Sequence, residues 1–447
     1  MPDSVRTGGG LQNFPYIAGY VGQVREEARR THTPVLLVDL GDSLTGSFAS
    51  AITHGANVVT FFNELQYDAV MLGNLDADLA PETVKSLQMP VLCPFETSEG
   101  APAMAGTQFA TIVKKEGLEV ELLANFYGDT RQEEFPERFP TSFGASEAVM
   151  PLRDYARVVQ TLPPPSAQVL RLFQWMKFEH EGSEAPALLE NLRQLKVDAV
   201  LAHRVYGREK TDAWVSSSTY AWNPPVSLNI LRNNKGFALA RADLKRVAGK
   251  WTLQRQQILP MMSNTAPADE GIARKVRRFG DEITKANKVV AHVENSVSPE
   301  GILQRYLAAL ASLPGANVAL YSQQSIRAGW PKGDLRVGDI YASLPWAKGL
   351  VQFELSANQL TELNASQLFT IYVAPNLPAD GSRTITTSDF LGRVVAKRLN
   401  LDRARFRTVV DKPEYVFFSE YLQRMADPSQ NLNQPAGWAL HTAATPL

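Results

Sequence analysis

"PVLLVDLGD" (Pro34 to Asp42) is a continuous apolar run that closes on a glycine and a carboxylate. Such a run reads as a strand buried on both faces, in a sheet covered by helices. The same grammar repeats along the chain. Helical "ANVVTFFNELQ" precedes strand "DAVMLGN", helical "APETVKSLQ" precedes "PVLCPF", and helical "APALLENLRQLK" precedes "VDAVLAH". Helix alternating with apolar strand predicts a layered α/β domain. Function in such sheets gathers at strand ends, which singles out Asp42 and, after the next run, Gly73-Asn74. Asn74 is a good oxygen ligand for a cation, and its natural neighbour in a hydrolytic site is a histidine that protonates a leaving group. Leu75 stands there instead, and leucine can do neither.

Working outward, Leu11, Phe14, Ile17, Ala18, Val21 and Val24 recur at helical spacing after Gly8-Gly9-Gly10 and predict one amphipathic helix ending in "REEARR". "QFATIVKKEGLEVELLANF" predicts a hairpin with Glu116-Gly117 in its turn. The alternating stretch from Val226 to Met261 predicts antiparallel strands that close the first domain. A polar helical pattern between Asn264 and Lys288 then reads as a bridge to a second α/β unit. The boundaries read from these patterns are residues 1–262 for the first domain, 263–288 for the linker helix, 289–425 for the second domain and 426–447 for a polar tail.

A chain of 447 residues is too long for one ordinary core, in keeping with two domains. Its 45 Lys+Arg nearly balance 46 Asp+Glu, so neither nucleic acid nor a membrane surface is indicated as the main partner. The single cysteine, Cys93, excludes an intrachain disulfide and any Cys-rich metal site. No apolar run is long enough to span a bilayer, and "MPDSVRTGGG" lacks the pattern of a signal peptide.

Two sets of residues carry a resemblance. "GG-L" before a helix, "VLLVDLGDSLTG", "NELQYDAVMLGNLDAD" and "LKVDAVLAHRVYGREKTD", in that order, resemble the metallophosphoesterase domain of the 5′-nucleotidase family. "ANVALYSQQSIRAGWPKGDLRVGDIYASLPWAKGLVQFELSANQL" resembles that family's C-terminal nucleotide-recognition domain. The resemblance implies a four-layer α/β sandwich followed by a smaller α/β domain. It also implies two-metal hydrolysis, in which paired cations activate a hydroxide. On that pattern Asp42 bridges both metals, while Asn74 and His203 bind one of them.

Other positions depart from the pattern. Leu75 replaces the acid histidine, Ser218 and Tyr220 in "VSSSTYAW" stand at two ligand histidines, and the first strand with its Asp-x-His pair is missing. The expectation is a degenerate centre holding no metal or one weakly bound Mn or Zn. The chain is then a non-catalytic ligand-binding or structural subunit, the alternative being a residual metal-dependent phosphoric-ester hydrolase. In the second domain the resemblance assigns substrate phosphate to Arg327 and a base-stacking role to Trp346 and Phe390, so a nucleotide-like anion is the expected ligand. A missing strand further implies either an upstream extension or a protein partner that completes the N-terminal sheet, and family habit implies a periplasmic or extracellular location. Each residue also has a plainer reading. Asp42 can cap a turn, Asn74 can brace its own loop, His203 can be a satisfied core histidine, Arg327 can form a surface ion pair, and the two rings can simply pack.

Overall fold

The computed structural model describes residues 11–73, 76, 81–127, 150–151, 155–162, 169–177, 195, 197–204, 226–231, 238–260, 266–346, 348–366, 368–374, 381–424 and 439–441. The chain divides into two units at Glu282/Ile283.

The N-terminal unit begins with helix α1 (Phe14–Thr31), whose residues Phe14, Ile17, Ala18 and Val21 share one apolar face and are buried. The helix stops at His32, which turns left-handed at φ 48° and returns its N–H to Ala28. Phe14 stacks on Phe61 at 4.0 Å between ring centroids. The chain continues through β1 (Val38–Asp39), α2 (Phe48–Ile52), α3 (Ala56–Glu64), β2 (Ala69–Met71), α4 (Pro81–Lys85) and β3 (Val91–Leu92). The three strands form a parallel sheet in the order β1-β2-β3, with Val38 opposite Ala69 and Val70 opposite Val91.

Central β2 is wholly buried, as its uninterrupted apolar run requires. β1 differs from expectation. Only Leu37 and Leu40 of "PVLLVDL" are buried, Val35, Leu36 and Val38 are half-buried, and just two residues join the ladder. The reason is position: among the described strands, β1 is bonded on one side only.

A short antiparallel pair, β4 (Phe95–Glu96) with β7 (Met150–Pro151), is separate from a five-stranded sheet. That sheet contains β5 (Ala110–Lys115), β6 (Leu118–Tyr127), β8 (Val169–Lys177), β9 (Ala199–Arg204) and β10 (Val226–Leu231), in the order β10-β9-β8-β6-β5. The β5–β6 hairpin turns through Glu116 at φ 43° and Gly117 at φ 83°, the paired positive angles that a two-residue turn matching strand twist demands. β10 corrects a second expectation, because it lies parallel to β9, with Val226 opposite Ala199. A parallel neighbour needs a connection of about a dozen residues or more, which residues 205–225 supply, and alternation alone carries no strand direction. Among the described strands of that stretch, β11 (Ala238–Val247) and β12 (Lys250–Pro260) pair antiparallel.

Helix α5 (Tyr155–Thr161) completes the described helices before α6 (Glu270–Ala286), within which the unit boundary falls. The helix expected from "APALLENLRQLK" lies outside the described residues, apart from Leu195.

In the C-terminal unit, β13 (Val289–Val293) pairs with β15 (Gly333–Arg336). Helix α7 (Pro299–Ala311) starts at Ser298, whose Oγ accepts from Gly301 N–H, and has Pro299 in its first turn. A mixed six-stranded sheet is built from β14 (Val318–Tyr321), β16 (Leu350–Leu355), β17 (Thr370–Val373), β18 (Arg383–Ser388), β19 (Arg407–Val410) and β20 (Ala439–His441), in the order β19-β16-β18-β14-β17-β20. Its helices are α8 (Val337–Ser343), α9 (Ala357–Ala365), α10 (Asp389–Arg398) and α11 (Glu414–Arg424). β20 corrects the reading of residues 426–447 as a polar tail, since Ala439, Leu440 and His441 pair with Val373, Tyr372 and Ile371. Among the described residues no helix is long and apolar enough to cross a membrane.

Candidate functional site

The end of β1 runs into a tight loop, Gly41 at φ 98° followed by Asp42 at φ 58°. Left-handed backbone is uncommon outside glycine, and aspartate is among the residues that tolerate it best. Three carboxylates meet here. Asp39 accepts from Gly41 N–H at 2.9 Å and from the Ser43 hydroxyl at 2.6 Å. Asp76, fully buried, accepts from the amides of Asp42 and Gly73 at 2.9 Å each and from the Thr45 hydroxyl at 3.3 Å. Asp42 lies against Gly73, so closely that a Cβ at position 73 would fall 2.1 Å from Oδ1.

Burial is the main reason Asp39 is pushed up to about 6, against the opposing hydrogen bonds from Ser43 and Gly41. Burial also drives Asp76 well above the ordinary carboxylate range, with the negative charge of Asp42 adding to it. The loop therefore gathers three carboxyl groups at a strand end, where burial favours the proton on Asp39 and Asp76.

His203 sits near the end of β9, in register between Met176 and Ile230. Asn74, Leu75, Ser218 and Tyr220 lie outside the described residues.

The second grouping is in the C-terminal unit. Arg327 follows β14 and a single 3-10 turn (Gln323–Ser325), and its N–H donates to Ser343 O at 2.9 Å. Its guanidinium lies 5.0 Å from the Trp346 ring centroid, within cation–π range. Trp346 in turn faces Phe390, the rings within 6° of parallel and 6.2 Å apart. The Trp346 indole N–H donates to Ser325 O at 3.1 Å. Three segments far apart in sequence thus bring Arg327, Trp346 and Phe390 together. The rings are wider apart than the direct stack of Phe353 on Phe406, at 4.2 Å. A flat ring touching both faces needs roughly 7 Å, twice the ~3.5 Å optimum between carbons.

No family model matches the chain. A stretch of 72 residues is 36% identical to human 5′-nucleotidase, covering 15% of this chain and 12% of the human protein. A 71-residue stretch is 38% identical to the snake venom 5′-nucleotidase of Gloydius brevicauda, with 15% and 12% covered. The match thus spans about an eighth of these relatives' length.

Solved structures extend the likeness over both units. The 5′-nucleotidase precursor of Thermus thermophilus superposes with a TM-score of 0.62 at 16% identity, covering 92% of this chain and 90% of that one. The fold is that of the 5′-nucleotidases. The enzyme of Candida albicans agrees, with a TM-score of 0.63 at 12% identity and coverage of 92% and 93%. The sulfate thiohydrolase SoxB of Thermus thermophilus shares the fold at a TM-score of 0.59 and 13% identity, over 92% of this chain and 80% of that one.

The 5′-nucleotidase fold implies a metal pair, and only part of the expected ligand set falls among the described residues. Among them, no group of three or more His, Cys, Asp and Glu side chains is arranged to hold a metal ion. Asp39 and Asp76 each spend lone pairs on protein N–H and O–H donors, which makes them braces of the loop rather than open ligands. Asp42 is the member of the expected ligand set whose side chain is described.

Reading the sequence missed Asp39 and Asp76. The signal for Asp39 was its place at the polar end of the apolar run, and for Asp76 the close repeat of acids in "GNLDAD".

Proposed function

We propose that this chain is a non-catalytic subunit built on the 5′-nucleotidase fold, which binds a nucleotide-like anion on the Arg327, Trp346 and Phe390 face of its C-terminal unit. The observation that carries this reading is the pair of near-parallel rings 6.2 Å apart with a guanidinium 5.0 Å from one of them. At 6.2 Å the two rings would have to part toward roughly 7 Å to admit a flat base between them, and the cation beside them has a planar fork that suits an oxyanion. Leu75, Ser218 and Tyr220, at positions where the family resemblance expects histidines, support the non-catalytic half of the reading.

Calorimetry with AMP, and with inorganic phosphate alone, tests it. Arg327→Ala is expected to weaken AMP by about 1.5–3 kcal/mol, roughly ten- to a hundredfold, as a charged hydrogen bond is lost. Absence of binding across a nucleotide panel would leave only a structural role.

Asp42, the strand-end carboxylate that the family resemblance makes a metal ligand, supports a second reading, a residual metal-dependent phosphoric-ester hydrolase. Elemental analysis of the purified protein, beside a phosphomonoester assay with added Mn or Zn, separates the two. Two stoichiometric metals with turnover would overturn the non-catalytic reading.

A further inference from the structure

Two antiparallel hairpins of the N-terminal unit turn in the same way. β5–β6 turns through Glu116 and Gly117, and β11–β12 through Ala248 at φ 51° and Gly249 at φ 81°. Two consecutive left-handed residues make the tight turn that matches strand twist, and its first position favours Asn, Asp or Gly. A non-glycine residue there carries a steric cost, which a short polar side chain can offset by bonding its own backbone. Alanine has no such bond to make.

The surroundings of the two turns differ as well. Beside the β5–β6 turn the lysines are paired with carboxylates, Lys114 with Glu119 at 3.1 Å and Lys115 with Asp68 at 2.5 Å. Toward its base the β11–β12 hairpin is balanced in the same manner, Arg241 meeting Asp243 at 2.8 Å and Glu27 at 3.2 Å. Its tip is not. Between Asp243 and Asp269 the sequence holds four cations, Lys245, Arg246, Lys250 and Arg255, and no carboxylate. Among the described residues none of the four forms a salt bridge; Arg246 donates to Gly249 O at 3.3 Å and Arg255 to the Gln257 side chain at 2.7 Å. Every residue from Lys245 to Lys250 is exposed, and Val247, at 48%, is one of two large apolar side chains left that open among the described residues. The ladder sets Val247 opposite Lys250 and Arg246 opposite the half-buried Trp251. An apolar tip, Val247-Ala248-Gly249, is thus collared by Lys245, Arg246 and Lys250.

We propose that the β11–β12 tip is a docking site for an anionic lipid surface, with Val247 and Ala248 entering the headgroup layer and the three collar cations lying against the lipid anions. An anionic leaflet attracts a basic cluster of this kind, and basic charge together with buried apolar area sets the strength of such peripheral attachment. A nucleic-acid strand or an acidic peptide would match the cations but leave the apolar tip uncovered. The whole-chain charge of −1 conceals the cluster, because a balance over 447 residues carries no information about where the charges lie.

The test is co-sedimentation of the full chain with vesicles of phosphatidylcholine alone and with about a third phosphatidylserine. The wild type is expected to pellet with the anionic vesicles at low salt, to be released as salt rises, and to ignore the neutral ones. Lys245→Gln combined with Lys250→Gln is expected to weaken binding to the anionic vesicles roughly thirtyfold. Val247→Ser is expected to weaken it several-fold. So is Ala248→Asn, which gives the turn a residue it prefers and keeps the denaturant midpoint at or above that of the wild type. A wild type that fails to bind anionic vesicles overturns the proposal, as does equal binding by the wild type and the double lysine variant. Unchanged binding by both Val247→Ser and Ala248→Asn would reduce the contact to surface charge and overturn entry of the tip. A single-stranded oligonucleotide or polyglutamate that binds through the same lysines, where vesicles do not, overturns the lipid assignment in favour of another polyanion.

Discussion

The α-carbon of Gly73 lies against Asp42: a methyl group at position 73 would fall 2.1 Å from Oδ1 and 2.7 Å from the Asp42 amide nitrogen. Oδ1 can swing away, but the amide belongs to a loop already held at φ 58° and bonded to Asp76. Gly73→Ala is therefore expected to destabilise the N-terminal unit by about 1–3 kcal/mol, the usual cost of forcing atoms into a packed site. A denaturant midpoint equal to that of the wild type would show that the loop yields freely.

Asp76 offers a sharper contrast. Its Oδ2 is the shared acceptor for two backbone amides on different strand ends, Asp42 and Gly73. Asp76→Ala leaves both donors without a partner, at about 1–3 kcal/mol for each one that water cannot reach. Asp76→Asn keeps an acceptor oxygen and removes a buried charge that already favours its proton, so its loss should be less than half as large. Equal losses from the two substitutions in chemical unfolding would mean that the charge, not the acceptor, braces the loop.

The parts of the fold that are legible in sequence are those with local causes. The turn at Glu116-Gly117 is readable because two adjacent positive φ angles call for a small set of residues. Helix α1 is readable because its apolar face repeats without a break. The direction of β10 is not, since both sides of a strand pairing look alike in one dimension. β20 hides in a stretch rich in Pro, Gly, Asn and Gln because three residues carry too little period to register. Asp42 stands at a strand end, where reasoning from topology places it. Arg327, Trp346 and Phe390 come together through the order of a mixed sheet, so residue types alone do not join them; a family resemblance does. Glu414, buried at the start of α11, is the least legible, because an acid in the first turn of a helix reads as an outward-facing partner for the helix dipole.

Glu414 also sets a pH dependence of stability. Burial raises its folded value to about 8, above the ordinary 4.5 of a glutamate, so near neutral pH the folded protein holds a proton that the unfolded chain has lost. Its contribution is fully present below the unfolded value, declines as pH rises, and is lost once pH passes about 8. At about 1.4 kcal/mol per unit, the total loss is on the order of 5 kcal/mol at most. Unfolding free energies measured from about pH 5 to about pH 9 should fall more steeply in the wild type than in Glu414→Gln. Parallel curves would place the proton elsewhere.

β20 closes one edge of the six-stranded sheet by pairing with β17, whose Ile371 and Tyr372 are 0% and 1% exposed. An uncovered edge presents a row of amides and carbonyls to any other chain that can add a strand. Truncation after Ala426 removes β20 and should have two effects. Loss of the short ladder should lower the stability of the C-terminal unit by about 1–3 kcal/mol, a few hydrogen bonds at their usual net value. The bare β17 edge should also promote self-association, visible as a mass above one chain in light scattering, and the amides of Ile371 to Val373 should exchange faster with solvent. A truncated protein that stays monomeric, with those amides as protected as in the full chain, would show that β17 keeps its cover without β20.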